Sequence, residues 1–134
     1  MKRKFRLDAV LRVARIREKQ AEKGLAESLR DERKAEEALQ ERTHAYEARP
    51  TGNFHETQPV GELRARAVQD AAESRRHAEE QLEAARDSWL SATRHRRAVE
   101  ELEERHLAAS AMIAARASQR ALDDMARARK RRDA

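Results

Sequence analysis

A stripe of mostly apolar residues runs along the first third of the chain at alternating steps of four and three residues. That spacing is typical of the seam of a left-handed coiled coil. Two glutamates and an arginine interrupt it, and small alanines let two helices approach closely. The pattern predicts a long helix over about residues 5–48, with this seam: Leu7, Leu11, Ala14, Glu18, Ala21, Leu25, Ser28, Glu32, Ala35, Leu39, Arg42 and Tyr46.

A second stripe with the same spacing follows in the rest of the chain and predicts a helix over about residues 62–131. After Val99, a three-residue step to Leu102 is expected to shift the stripe to His106, Ala109 and Ile113. Such a shift changes the local winding of a helix pair. The main part of this stripe is Val68, Ala71, Arg75, Ala78, Leu82, Ala85, Trp89, Ala92, Arg96 and Val99.

Residues 49–61 separate the two patterns. The segment contains both prolines and two of the three glycines, residues that stop helices and favour turns. A short connection makes consecutive helices antiparallel neighbours. We therefore predict a helix, an elbow over 49–61 and a returning helix, as one unit over 1–134. The expected fold is all-α: an antiparallel two-helix coiled-coil hairpin with an overhanging C-terminal helix.

Registering the helices about the elbow leaves the second helix without an intramolecular partner for about its last 25 residues, from His106 onward. The expected neighbours are Leu39 with 68–71, Leu25 with 82–85, and Leu7 with 99–102. The overhang is either a fraying tail or a surface for another protein, and its apolar residues favour the second interpretation. These residues are Leu107, Met112, Ile113, Leu122 and Met125.

The composition supports long helices over an ordinary core. Charged residues make up 41% of the chain and aromatics 3%, and much of the apolar content is alanine. Such a charge fraction is also found in disordered chains, but the periodicity and the scarcity of Pro and Gly outside the elbow favour helices. We expect a soluble protein without a cleaved signal or direct membrane insertion, because no apolar run reaches signal-peptide or membrane-spanning length. The absence of cysteine is compatible with a cytoplasmic location.

The net charge of +5 is unevenly distributed: residues 1–19 carry +6, residues 116–134 carry +4, and the middle carries −5. A basic end suits an acidic cavity, phosphates or a negatively charged surface. Nucleic-acid binding is the alternative suggested by residues 127–132. It is disfavoured because the chain turns back on itself, unlike a zipper, and interleaves no stacking aromatics with its basic residues.

The residues that usually carry catalysis are missing from the pattern. There is no cysteine, no pair of histidines four residues apart, and no glycine-rich phosphate loop. Acidic runs such as 100–104 are typical of solvated helix faces. We expect no enzyme, no metal site and no cofactor.

Four segments resemble the flagellar FliJ family. Residues 5–18, FRLDAVLRVARIRE, are similar to its opening, residues 86–90 and 99–105 to its second helix, and residues 119–126, QRALDDMA, to its closing motif. The resemblance covers nearly the whole chain. One departure is Ser118, where the family usually has an acidic residue beside the glutamine.

The resemblance implies a coiled-coil stalk in the hexameric ATPase of the flagellar type III export apparatus. It also implies contact with the cytoplasmic domain of the export-gate membrane protein, help to export chaperones, and a peripheral location at the inner face of the cell membrane. The implied ATPase-facing residues are Phe5, Leu7, Val10, Leu11, Leu122, Asp123 and Met125. The implied gate-facing residues are Leu39, Tyr46, Val68 and Ala71.

Two other interpretations stay open at this stage. One is the equivalent stalk of a virulence type III secretion system, which uses the same mechanism in another machine. The other is a generic coiled-coil scaffold or a dimeric DNA-associated protein.

Overall fold

The computed structural model describes residues 6–48 and 58–134, and within those ranges the chain forms two α-helices and no strand. Helix α1 spans Asp8–Glu47 and helix α2 spans Gln58–Arg132. The two long helices pack against each other as an all-α helical hairpin, which confirms the predicted fold class.

The charges at the helix ends favour the helical state. Asp8 lies in the first turn of α1, and Arg129–Arg132 form the last turn of α2. An acidic group near the N-terminus and basic groups near the C-terminus both interact favourably with the helix dipole. The basic run at the end of the chain therefore also stabilises the last turn of α2.

Helix α2 begins earlier than the sequence pattern predicts. Residues 49–57 of the expected elbow lie outside the described residues, but Gln58 to Gly61 are already helical. Pro59 is the second residue of the helix, where its missing N–H would have had no partner in the helix and its fixed φ suits the helical backbone. Pro59 therefore belongs to the first turn of α2, whereas the sequence pattern places it in the elbow before the helix.

The chain divides into two compact units, which are considered separately. The terminal unit consists of residues 1–16 and 94–134, and the central unit consists of residues 17–93. Each unit contains a part of α1 and a part of α2.

In the central unit the two helices are antiparallel, because three interhelical contacts pair rising residue numbers on α1 with falling numbers on α2. The Glu18 carboxylate accepts a hydrogen bond from the Thr93 hydroxyl, the Glu36 carboxylate pairs with the Arg75 guanidinium, and the Arg42 guanidinium donates to the Ala67 carbonyl. The residue numbers in the three pairs add up to 111, 111 and 109. The register expected from the sequence therefore holds here.

The core of the central unit is narrow. Ala71, Ala78 and Leu82 are buried, and the expected partners on α1, including Leu25 and Leu39, are half-buried. Alanine brings the backbones close but removes little apolar surface from water. This part of the seam is confirmed, and its stability depends on a few leucines and on polar contacts at the edges.

One seam position departs from the expectation. Arg42 is exposed, and the neighbouring Thr43 is half-buried. The Arg42 side chain instead reaches along the helix pair to the Ala67 carbonyl, at 3.3 Å. A long side chain can cover apolar surface while its charged end stays in water, so the arginine does not need to enter the seam.

The core of the terminal unit is formed by Leu11, Ala14 and Val99, each exposed by 4% or less. Beside them the Arg15 guanidinium lies 3.5 Å from the Glu100 carboxylate, which also accepts a hydrogen bond from Arg96. These residues confirm the seam at the start of α1.

The expected shift of the seam after Val99 is wrong. Leu102 is 45% exposed and Ile113 is 55% exposed, and Ala109 is exposed as well. The half-buried positions that follow Val99 are Glu103, His106 and Ser110. Their steps of four, three and four continue the earlier heptad frame, because a straight helix keeps the same face toward its neighbour whatever residues that face carries.

We expect Thr93→Val to lower the free energy of unfolding by about 1–2 kcal/mol, because the partly buried Glu18 carboxylate loses a hydrogen-bond donor while the shape of the side chain is kept. Chemical denaturation at one protein concentration measures the change. Thr43→Val is the matched control, because half-buried Thr43 forms no side-chain hydrogen bond with a described residue. Equal losses in both variants would show that the Glu18–Thr93 hydrogen bond adds no stability.

Candidate interaction surfaces

In the part of the chain that the structure describes, the candidate residues lie on the surfaces of the two helices and in the seam between them. Most of the residues that line one surface depression are charged, such as Glu79, Glu83 and Arg86. No group of three or more potential metal ligands occurs among the described residues. Neither described helix has an apolar stretch that could cross a membrane.

The candidate ATPase-facing residues at the start of α1 divide between seam and surface. Leu11 is only 4% exposed and Leu7 is half-buried, whereas Val10 is 39% exposed. Phe5, the remaining residue of this group, lies outside the described residues. Among the described members of the group, Val10 is thus the most exposed.

The candidate ATPase-facing residues near the end of α2 are all exposed. Leu122 is 61% and Met125 is 69% exposed, and every residue from Ala111 to Ala134 is exposed as well. The Asp123 carboxylate accepts a hydrogen bond of 3.1 Å from the Gln119 amide, one turn earlier on the same helix. This contact holds the acidic side chain along the helix surface beside the two apolar residues.

These two groups of candidate residues do not form one site. Leu11 and Val99 are both buried in the seam of the terminal unit, and Leu122 lies 23 residues beyond Val99 on α2. At about 1.5 Å per residue, that separation is about 35 Å along the helix. A single partner would have to be elongated, or to surround the helix, in order to touch both.

The candidate gate-facing residues lie close together in the central unit. Leu39 and Tyr46 of α1 and Val68 of α2 are half-buried, and Ala71 is buried. The hydrogen bond from Arg42 to the Ala67 carbonyl joins the two helices in the middle of this group. The structure therefore brings these four residues together, but they offer only part of their surface to a partner.

Sequence reasoning did not select several exposed apolar side chains. Val13 and Ile16 are 45% and 55% exposed on α1, and Val60 and Leu63 are 38% and 64% exposed near the start of α2. The signal was present in the sequence, since all four are bulky apolar residues outside the heptad seam. Leu63 belongs to the central unit, five residues before Val68 on α2.

The charges differ in sign between the two units. The described residues of the terminal unit include fourteen basic and eight acidic side chains, whereas those of the central unit include twelve basic and sixteen acidic ones. The terminal unit is thus positively charged and the central unit negatively charged. Charges of this kind select partners of opposite sign and speed their association.

The helical hairpin, its heptad seam and its exposed basic tail define the class of protein, a helical coiled coil. Comparison with known families then gives a specific assignment, since the family model described as flagellar FliJ protein matches residues 2–134. The chain belongs to this flagellar family, which confirms the resemblance and supports a role in flagellar export in general. Neither the search of curated proteins nor that of solved structures gave a match.

We expect Leu11→Ala to lower the free energy of unfolding by about 2–4 kcal/mol, because the change leaves a cavity in the seam. Val10→Ala, at the preceding and more exposed position, is the matched control and should cost less than about 1 kcal/mol. Chemical denaturation of the two variants at equal protein concentration gives both values. A cost for Leu11→Ala as small as that of the control would mean that Leu11 is not a core residue.

Proposed function

We propose that the chain is a non-enzymatic component of the flagellar protein-export apparatus and forms the central stalk of the export ATPase ring. In this role it couples the ring to the cytoplasmic domain of the export gate and assists the delivery of export chaperones and their substrates. It is located in the cytoplasm, at the inner face of the membrane through its contacts with the export apparatus. The proposal rests on family membership together with the surfaces described above.

The observation that carries the ATPase part of the proposal is the exposed end of α2. Leu122 and Met125 are large apolar residues that no described residue covers, and they lie in the positively charged terminal unit. Apolar surface of this kind gains free energy when a partner removes it from water. A single narrow helix also fits a central opening in a ring, where wider folds would not enter.

The gate part of the proposal is assigned to the central unit. Its candidate residues Leu39, Tyr46, Val68 and Ala71 lie together, and Leu63 adds an exposed apolar side chain on the same helix as two of them. The negative charge of this unit favours a basic surface on the gate protein. Because the two candidate surfaces belong to different units, both partners could be bound by one chain.

The double variant Leu122→Glu, Met125→Glu is expected to weaken binding to the flagellar ATPase by at least about tenfold, because two apolar contacts are replaced by charges. Pull-down with the purified ATPase, followed by titration, measures the change. Stimulation of ATP hydrolysis should fall in parallel.

The matched control for this experiment is Met112→Glu, Ile113→Glu. These two residues are 57% and 55% exposed on the same helix, and the change in charge is the same. Both double variants should keep the helical content of the original chain. Undiminished ATPase binding by the Leu122/Met125 variant, or an equal loss in the control, would contradict the assignment.

For the gate contact, we expect Leu63→Glu to weaken binding to the cytoplasmic domain of the export-gate protein while ATPase binding is unchanged. Leu90→Glu is the control, because Leu90 is an exposed leucine of the same helix in the same unit. Binding of each variant to both partners is measured by titration. If the Leu63 variant bound the gate domain as well as the original chain does, the gate surface would lie elsewhere.

A further inference from the structure

The exposed end of α2 carries a second heptad stripe that α1 does not cover. Its residues follow steps of four and three, are all apolar or small, and are all exposed in the structure, including Leu107 at 58%. Such spacing is typical of a coiled-coil seam, and small residues allow a close approach of the second helix. The stripe consists of Leu107, Ala111, Ala114, Ser118, Ala121, Met125 and Ala128.

This second stripe lies on a different face of α2 from the seam with α1. Each of its first positions follows directly after a seam position: Leu107 after His106, and Ala111 after Ser110. One residue corresponds to a rotation of about 100° around the helix axis. A helix packed on the second stripe would therefore lie beside α1 without replacing it.

The charges around the second stripe change from negative to positive along the helix. Continuing the heptad backward from Leu107 leads to Glu104 and Glu100, and continuing it forward from Ala128 leads to Arg132. The positions that flank the stripe are acidic at the first end and basic at the other: Glu101 and Glu103, then Arg129 and Arg131. The stripe thus has an acidic end, an apolar middle and a basic end.

We propose that this stripe binds a second copy of the chain in antiparallel orientation. In one register Leu107 packs against Met125 of the second copy, so that the two largest side chains of the stripe share a layer. The small residues between them pair with one another, with Ala111 facing Ala121 and Ala114 facing Ser118. The same contacts occur twice, because the arrangement is symmetric about a two-fold axis.

In that register the flanking charges are also complementary. Positions just outside the core layers face their counterparts in an antiparallel coiled coil, so Glu101 faces Arg129 of the second copy and Glu103 faces Arg131. Glu101 pairs with Arg105 at an exposed position, and Glu103 forms no ion pair with a described residue. Glu101 is exposed and Glu103 is half-buried at the edge of the seam with α1, so Glu101 is the more accessible of the two carboxylates to the basic end of a second copy.

The other simple arrangements lack this complementarity. A parallel pair would place the two basic ends, residues 127–132, beside each other, which like charges disfavour. An antiparallel pair shifted by one heptad would put Arg129 and Arg131 opposite Ala108 and Ser110, with no acidic partner. The charge pattern thus selects one orientation and one register.

The association should be weak and reversible. Small side chains bury little apolar area, and exposed ion pairs contribute little free energy each, so the charges determine register more than affinity. Met125 belongs to the second stripe and to the proposed ATPase-facing group. A second copy and the ATPase would then compete for the same face, although the self-association does not depend on the proposed function.

The first measurement is the mass of the full-length chain in solution, by sedimentation equilibrium over a series of concentrations in the micromolar range. A rise from 15.4 kDa toward twice that mass is expected, with a smaller rise at high salt. A mass of one chain at every concentration would overturn the proposal. This readout involves neither the ATPase nor the gate, so it can fail or succeed independently of the proposed function.

A charge exchange tests the register. Glu101→Arg, Glu103→Arg should abolish self-association, and so should Arg129→Glu, Arg131→Glu, because each variant sets like charges opposite one another. A mixture of the two variants should associate again, since every facing pair then has opposite charges. Failure of the mixture to associate would rule out the proposed register, even if the original chain dimerises.

The matched control for the basic end is Arg127→Glu, Lys130→Glu. It makes the same change in net charge near the end of α2, but Arg127 and Lys130 lie outside the second stripe and its flanking positions. Its self-association should equal that of the original chain. Circular dichroism on all the variants checks that α2 stays helical, and loss of association in this control would mean that net charge alone governs the mass.

Discussion

The structure depends on one seam between two helices. A pair of helices gives each helix a single neighbour, so only one face of each is removed from water. Within that face the buried apolar residues are Leu11, Ala14 and Val99 in one unit and Ala71, Ala78 and Leu82 in the other, where Thr93 is buried as well. The other described residues are half-buried or exposed, and most of the bulky apolar side chains outside the seam are exposed. The exposed apolar side chains lie on the sides of the helices, where other molecules can contact them.

The unequal lengths of the helices have a direct consequence for those contacts. Helix α1 has 40 residues and α2 has 75, so a large part of α2 extends past any antiparallel partner within the chain. The seam with α1 fades at Ser110, and from Ala111 every residue is exposed. The second stripe begins at Leu107, before the first one ends. The second stripe therefore begins close to where the contact with α1 ends. This is the pattern expected of a helix that packs against one helix along its first part and against another along its last part.

Much of the fold could be predicted from the sequence, because heptad spacing and the Pro/Gly segment act locally and are readable without a structure. The prediction is wrong at Leu102, because a straight helix continues its heptad frame even where a bulky residue lies outside it, and at Pro59, because the first turn of a helix tolerates proline. For the surfaces, the heptad spacing places Leu11 in the seam and leaves Val10 outside it, in agreement with their exposures of 4% and 39%. The resemblance implies both residues as ATPase-facing, but it carries no information on which of the two side chains the seam covers. The partner of each surface is a property of two molecules, so it is not contained in one chain's pattern.

The charges around the second stripe provide a specificity for the partner that its apolar residues lack. A stripe of four alanines, one serine, one leucine and one methionine would pack against many helices, so it offers little discrimination by itself. The acidic residues before it and the basic residues after it add a direction, because a partner must present the opposite order to avoid like charges. Such discrimination costs little affinity, since the charges remain close to water. Occupancy of the stripe then follows the concentration and affinity of each competitor, and a weak contact between copies would yield to a partner that buries more apolar surface.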